Sequence, residues 1–392
     1  MVGAACFWRR RPGAGRVEMT AFWQPAEHVF PLDGLDEFLV WAWRQKASDV
    51  SFQTQSPAMI EVDGVLRRAT GAILDGTAMG AIVETLFGAT GDGTLRAGAA
   101  IDCSHTVWVE GERSRDIRFR CNFSPVQVEH GYGINATLRI LPGKPPALGE
   151  LGVEDEVAGA FEDPFGLTLV TGVPGSGKST LLAAGTRKML EDGVGRIQSY
   201  EAPIEFVFDG VGGDGGMMSS SEIPRNFRDF AEGLRSSLRR RPAAVIVGEA
   251  RDRETIEAAL NAADFGIAVF STTHTVGVAA TIRRMLSAFR QEERDERAAA
   301  LVDLLNLVVT QVLVAGPEGG RTAVREWLGF DRELKARLHR SSREGWPALI
   351  AEELERTGND LVARAELAAA EGRLGARELA RIRASRLGGG AR

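Results

Sequence analysis

The 392-residue chain has only three cysteines, Cys6, Cys103 and Cys121, and no two of them form a C-x-x-C pair. That excludes a zinc ribbon, offers no disulfide framework, and suits a reducing compartment. Apolar runs of about 18 residues are missing, so no segment reads as a transmembrane helix. The arginines near the start are followed by no apolar core, which excludes a secretory signal there. Basic blocks are short, the longest being Arg9-Arg10-Arg11 and Arg239-Arg240-Arg241. With a net charge of −6 and a pI near 5.6, the balance disfavours a protein that wraps duplex DNA. Histidine is scarce too, with five in the chain, and no internal repeat is present.

What is present is an ordinary apolar fraction, 44%, which suffices for a core in each of two domains. The most informative stretch is Gly172-Val173-Pro174-Gly175-Ser176-Gly177-Lys178-Ser179, a full match to G-x-x-x-x-G-K-[ST]. Glycines let the backbone turn tightly, so that successive amides point at phosphate oxygens. Lys178 can set a point charge on the β/γ-phosphates, and the Ser179 hydroxyl can coordinate Mg²⁺. Leu167–Thr171 before the loop reads as a buried parallel strand, and Ser179–Asp192 after it reads as a helix stopped by Gly193. That helix starts at Ser179-Thr180, so its N-terminal dipole faces the anion.

Along the chain, residues 1–30 are expected to be disordered, and Met1 and Met19 both stand as candidate starts. A small α+β domain is expected over 31–141. Leu35, Phe38, Leu39 and Ala42 give a helix over 34–46, and residues 77–87 give another. Asp49–Gln53 and Met59–Arg68 read as strand pieces, the second with a turn at Asp63-Gly64. Ile117 to Phe123 alternates strictly: Ile117, Phe119, Cys121 and Phe123 take one face, Arg118, Arg120 and Asn122 the other. Ile134–Ile140 alternates as well, with Arg139 on its polar side. These arginines form either a solvated strand face or a presented basic surface. Pro142-Gly143-Lys144-Pro145-Pro146 opens a linker over 142–165. Strands and helices alternate over 166–330, the pattern of an α/β domain with a parallel sheet. Residues 331–392 are rich in Ala, Glu, Arg and Leu and read as helical.

Three more segments stand where a phosphate-loop ATPase needs them. Ala243–Glu249 is an apolar strand ending in a carboxylate that can orient water or hold the Mg²⁺ shell. Ser199-Tyr200-Glu201-Ala202-Pro203-Ile204-Glu205 sets two acids at another strand end. Val269–Thr275 puts His274 just past an apolar strand, either as a structural residue or as a polar donor to the γ-phosphate. The stripe Phe227, Phe230, Leu234, Leu238 leads into Arg239-Arg240-Arg241, which reads as a solvated helix end or as a phosphate or subunit contact.

The ordered set resembles the PilT/VirB-type secretion ATPase family. It consists of the phosphate loop, YEAPIEF, RRRPAAVIVGEARDRETIEAAL and VFSTTHT, with RFRCNF…ATLRILP upstream. ASDVSFQTQSPAMIEVDGVLRR, YEAPIEFVFD and SEIPRNF narrow the likeness to the DotB/TraJ type of type IV secretion and conjugation systems. The likeness covers residues from about 35 to 330. It implies a RecA-like P-loop domain after a smaller PAS-like α+β domain, with a helical tail. It also implies a hexameric ATPase of the bacterial cytoplasm, using ATP and Mg²⁺. Such an enzyme docks peripherally at the inner membrane on membrane and cytoplasmic components of a secretion machine. No sequence-specific nucleic-acid contact is expected.

Residue by residue, the resemblance makes Gly172, Val173, Pro174, Gly175, Ser176, Gly177, Lys178, Ser179 and Thr180 the phosphate cradle. Lys178, Glu201, Glu249 and His274 become the catalytic set, and Ser179 and Glu249 the metal site. Arg118, Arg120 and Arg139 would reach nucleotide at a subunit boundary. Glu201 and Glu205 correspond to the family's Asp-box acids; the family often has Glu-Asp-Pro where this chain has Glu201-Ala202-Pro203, which weakens any role for the second acid without implying loss of activity. The cysteine-zinc insert of type II secretion ATPases is missing. A pilus retraction motor, a non-hydrolysing docking scaffold and a small-molecule phosphotransferase are the rival readings.

Overall fold

The computed structural model describes residues 34–387, apart from 63, 110–115, 130, 142, 318 and 319. The readings of residues 1–30 and of the turn at Asp63 therefore lie wholly or in part outside the described residues. The chain divides into two compact units, Met1–Leu141 and Pro142–Arg392.

The first unit is a six-stranded sheet carrying helices. In chain order its elements are α1 (Leu35–Arg44), β1 (Asp49–Gln53), β2 (Pro57–Val62), β3 (Val65–Ile73), α2 (Gly76–Leu86), α3 (Gly91–Arg96), β4 (Ile101–Trp108), β5 (Asp116–Val128) and β6 (Gly131–Ile140). The strand order is β3-β2-β1-β6-β5-β4, and every pairing is antiparallel. Period-two alternation sends one set of side chains inward. Val50, Leu138, Cys121 and Cys103 lie in one row across the sheet, all buried. The helices cover this row with Phe38, Leu39, Met79, Ile82 and Val83. The Asp75 carboxylate starts α2 by accepting from the amide of Ala78. Short α3 and strand β4 carry too little periodic pattern to be read from sequence.

The second unit has a seven-stranded sheet. Its elements begin with α4 (Asp155–Glu162), β7 (Leu167–Thr171), α5 (Lys178–Glu191), β8 (Arg196–Glu201), β9 (Met217–Glu222), α6 (Phe230–Ser237) and β10 (Ala244–Val247). Then come α7 (Arg253–Asp264), β11 (Ala268–Thr273), α8 (Val278–Ser287), α9 (Arg294–Leu304), β12 (Leu305–Ala315) and β13 (Arg321–Gly329). The order is β13-β12-β7-β11-β10-β8-β9, with all neighbours parallel except β12 and β13. All five residues of β7 are buried, as a parallel strand covered on both faces requires. Leu167 and Leu169 face one helical layer, and Val170 faces the other.

Within 142–165, the stretch expected as a linker, the chain forms α4. Phe161 of that helix packs over Gly185 of α5 and stacks on Phe270 at 4.9 Å between ring centroids. Burying one such ring stabilises by about 1.5–3 kcal/mol. The tail folds as α10 (Arg332–Arg340), α11 (Trp346–Thr357), α12 (Leu361–Ala370) and α13 (Ala376–Leu387). The latter two join Val314 and Val324 of the β12–β13 pair in a small separate core. Among the described residues, no helix is long and apolar enough to cross a membrane.

Candidate active site

Parallel strands converge at their C-terminal ends, and in open α/β sheets ligands bind there. The register puts Thr171 beside Thr273, Ser271 beside Val247, and Val247 beside Tyr200. The phosphate loop, Glu201, Glu249 and His274 therefore all leave the same edge of the sheet, next to one another.

The loop turns at Gly172, Gly175 and Gly177, with φ of 143°, 76° and 82°. A side chain at Gly172 would collide with the carbonyl of Gln311, and one at Gly177 would reach the Gln311 amide at 2.7 Å. The glycines are thus set by conformation and by the close approach of β12. Lys178 is buried and donates to the carbonyls of Gly172 and Val173, at 2.9 and 3.0 Å. Burial pushes its ammonium below the ordinary lysine range, against the pull of Glu249 and Glu205. That opposition places two carboxylates in the lysine's field. The Ser176 hydroxyl is buried and has no hydrogen-bond partner among the described residues. An orphan donor in a loop of inward amides suits a phosphate oxygen.

Glu249 follows β10, and its Oε1 lies 3.4 Å from His274 Nε2, its Oε2 3.8 Å from Arg251. The Thr272 hydroxyl donates to the Gly248 carbonyl at 2.5 Å, and the Ala250 amide donates to the Thr272 carbonyl at 3.0 Å. These bonds clamp the backbone on both sides of Glu249. Glu201 ends β8, and its Oε2 accepts from the Glu205 amide at 3.4 Å. Ser179, Ser199, Glu201, Gly248 and Thr272 line a small cavity of about 40 Å³. Ser179 and Glu201 thus border one space, room for a few waters. This oxygen set fits Mg²⁺, which takes one or two protein ligands together with phosphates and water.

Arg118, Arg120 and Arg139 belong to the first unit. Arg120 and Arg139 are cross-strand partners on β5 and β6, and Arg139 Nε meets Asp49 Oδ1 at 2.9 Å. Arg118 stands two residues from Arg120 on β5 and is itself buried. In the run Arg239-Arg240-Arg241, the middle residue donates to the buried Tyr200 hydroxyl at 2.6 Å and lies 6.0 Å over the Phe227 ring. That guanidinium is structural.

Sequence reasoning passed over Gln311, Arg325 and Glu326. The Gln311 amide donates to the Ser176 carbonyl at 2.6 Å. Glu326 is buried and accepts from the amides of Val278 and Leu361, at 3.1 and 3.3 Å, so one carboxylate serves the first amide of both α8 and α12. The available signal was two adjacent charges, Arg325-Glu326, set between the apolar pairs Ala323-Val324 and Trp327-Leu328.

The family described as Type II/IV secretion system protein matches residues 35–319. The type IV pilus retraction ATPase PilT of Pseudomonas aeruginosa is 34% identical over 292 residues, 74% of this chain and 81% of that protein. The crystal structure of the Legionella pneumophila ATPase DotB superposes with a TM-score of 0.77 at 34% identity, over 92% of this chain and 98% of the other. The pilus retraction motor PilT with bound ADP gives 0.75 at 25% identity, over 89% and 96%. With the phosphate loop, acids and histidine gathered on one sheet edge, the chain belongs to the type II/IV secretion system protein family and is an ATPase of it.

Proposed function

We propose that this chain hydrolyses ATP to ADP and phosphate as the subunit of a hexameric motor that powers a type IV secretion or conjugation system. The observation that carries the reading is the meeting of Lys178, Glu249 and His274 on one sheet edge. The loop amides and Lys178 would hold the β- and γ-phosphates. Glu249 would accept a proton from the attacking water, and His274 would hold that carboxylate and contact the γ-phosphate. Ser179 and, through water, Glu249 would hold Mg²⁺, which when bound neutralises charge on the phosphate oxygens. Arg118, Arg120 or Arg139 of a neighbouring subunit would approach the same phosphates and stabilise the charge that develops on them. The ring would work in the cytoplasm, held at the inner membrane by components of the secretion machine.

The test is phosphate release together with sizing. Wild type is expected to release phosphate and to assemble beyond a monomer with Mg·ATP. Mixing an Arg120→Ala subunit with a Glu249→Gln subunit should restore turnover above either alone, because each supplies what the other lacks. A strictly monomeric protein under all nucleotide conditions would sink the shared-site reading. A pilus retraction motor is the second reading, favoured by the 34% identity to PilT. Restored twitching in a retraction-defective host, without restored secretion in a secretion-defective one, would select it.

A further inference from the structure

Behind the phosphate loop runs a chain of buried polar contacts that reaches the helical tail. Gln311 on β12 and Arg325 on β13 are both almost wholly buried, at 3% and 2% exposure. Arg325 Nε donates to Gln311 Oε1 at 2.7 Å, which aims the Gln311 amide at the Ser176 carbonyl. The remaining guanidinium nitrogens donate to the carbonyls of Gly152 and Leu151, at 3.0 and 3.1 Å, and to Glu154 Oε2 at 3.1 Å. The other oxygen of Glu154 lies 3.5 Å from Arg364 on α12. Arg364 in turn lies 4.6 Å over the Trp327 ring.

A guanidinium costs much to bury, and a fold keeps one inside only when its donors are used. Here two donors serve the carbonyls of Leu151 and Gly152, one serves Glu154, and one fixes the orientation of a single glutamine. That glutamine touches the phosphate loop between its last two glycines. We propose that Gln311 is a positioning residue for the nucleotide site, held by Arg325, and that Glu154 and Arg364 make the loop's shape answer to the seating of α12. A tail that shifts on docking to a partner or neighbour would thereby change nucleotide affinity without touching nucleotide. The inference rests on the ATPase reading above.

Gln311→Glu separates this role from packing. The carboxylate keeps the shape and pairs better with Arg325, but it loses the donor to the Ser176 carbonyl. Thermal unfolding should stay near wild type. Mg·ADP affinity should fall about tenfold, the worth of one buried hydrogen bond. Exchange of the amides at 173–178 should quicken in the nucleotide-free protein. Arg364→Ala, at the partly exposed end of the chain, should weaken Mg·ADP about twofold to fivefold in the same direction. Mg·ADP affinity and loop exchange unchanged in Gln311→Glu would overturn the proposal. Should Gln311→Glu fail to fold, unchanged affinity and exchange in Arg364→Ala would overturn the coupling to the tail, and the same null result in Gln311→Ala would overturn the positioning role. Wild type that fails to bind Mg·ADP at all would instead remove the ATPase reading.

Discussion

His274 Nε2 and Glu249 Oε1 stand 3.4 Å apart, joining the end of β11 to the end of β10. The contact orients a half-buried carboxylate that nothing else among the described side chains holds at that distance. Glu249→Gln is expected to keep Mg·ADP binding and to lower turnover by a factor on the order of 100 to 10,000. His274→Ala should lower turnover less, since it removes an orienting contact and leaves the base. Phosphate release beside nucleotide titration checks both. Near-equal turnover in Glu249→Gln would remove that residue from the catalytic set.

Lys178 carries a pH dependence with a definite sign. Burial holds its ammonium below the ordinary value, so in the window beneath 10.5 the folded chain binds fewer protons than the unfolded chain. The cost of holding the charge is full below the folded-state pKa and is relieved as pH rises toward 10.5. Without nucleotide, the stability of wild type relative to Lys178→Met should therefore climb across that alkaline window. Urea midpoints of the two proteins against pH give the difference. A difference that falls with pH would contradict the stated environment.

Glu326 holds the first turns of two helices from one buried position. Glu326→Ala removes the acceptor of the first amide of each helix and leaves a cavity, while Asp360 still caps α12, and should cost about 2–4 kcal/mol of stability. The amides of Val278 and Leu361 should lose protection together in hydrogen exchange, because one carboxylate serves them both. Loss at one amide alone would show that the two contacts are independent.

Gly185 sits inside α5 beneath the Phe161 ring, where an added methyl would fall within van der Waals contact of three ring carbons. Gly185→Ala raises helix propensity and would help an exposed helix. Here overpacking should win and cost about 1–3 kcal/mol, with α5 pushed away from α4. Pairing it with Phe161→Leu should recover part of the loss. Denaturant unfolding of the single and double variants measures the coupling.

Much of the candidate nucleotide site was legible because its chemistry is local. Eight consecutive residues supply the turns, the amides, the ammonium and the hydroxyl, and the apolar strand before them fixes the loop at a strand end. Glu249 and His274 were legible for a related reason: each follows an apolar strand, Glu201 ends a strand-like stretch, and parallel strands end on one edge. The α4 helix was missed because its eight residues follow a proline-rich segment and carry only one buried face. Strands β4 and β9 were missed because half or more of their residues are polar, which leaves no clean apolar alternation to read.

The sequence by itself determined the glycine-rich loop after an apolar strand, the acids at strand ends and the two-unit layout, since spacing along the chain and period-two or helical patterning carry that information. Only the tertiary structure decided what lies behind the cradle. Gln311 is 135 residues from Ser176, and Arg325 is 171 from Glu154. Their contacts depend on which strands become neighbours, and strand order in a sheet is set by global packing rather than by any local pattern.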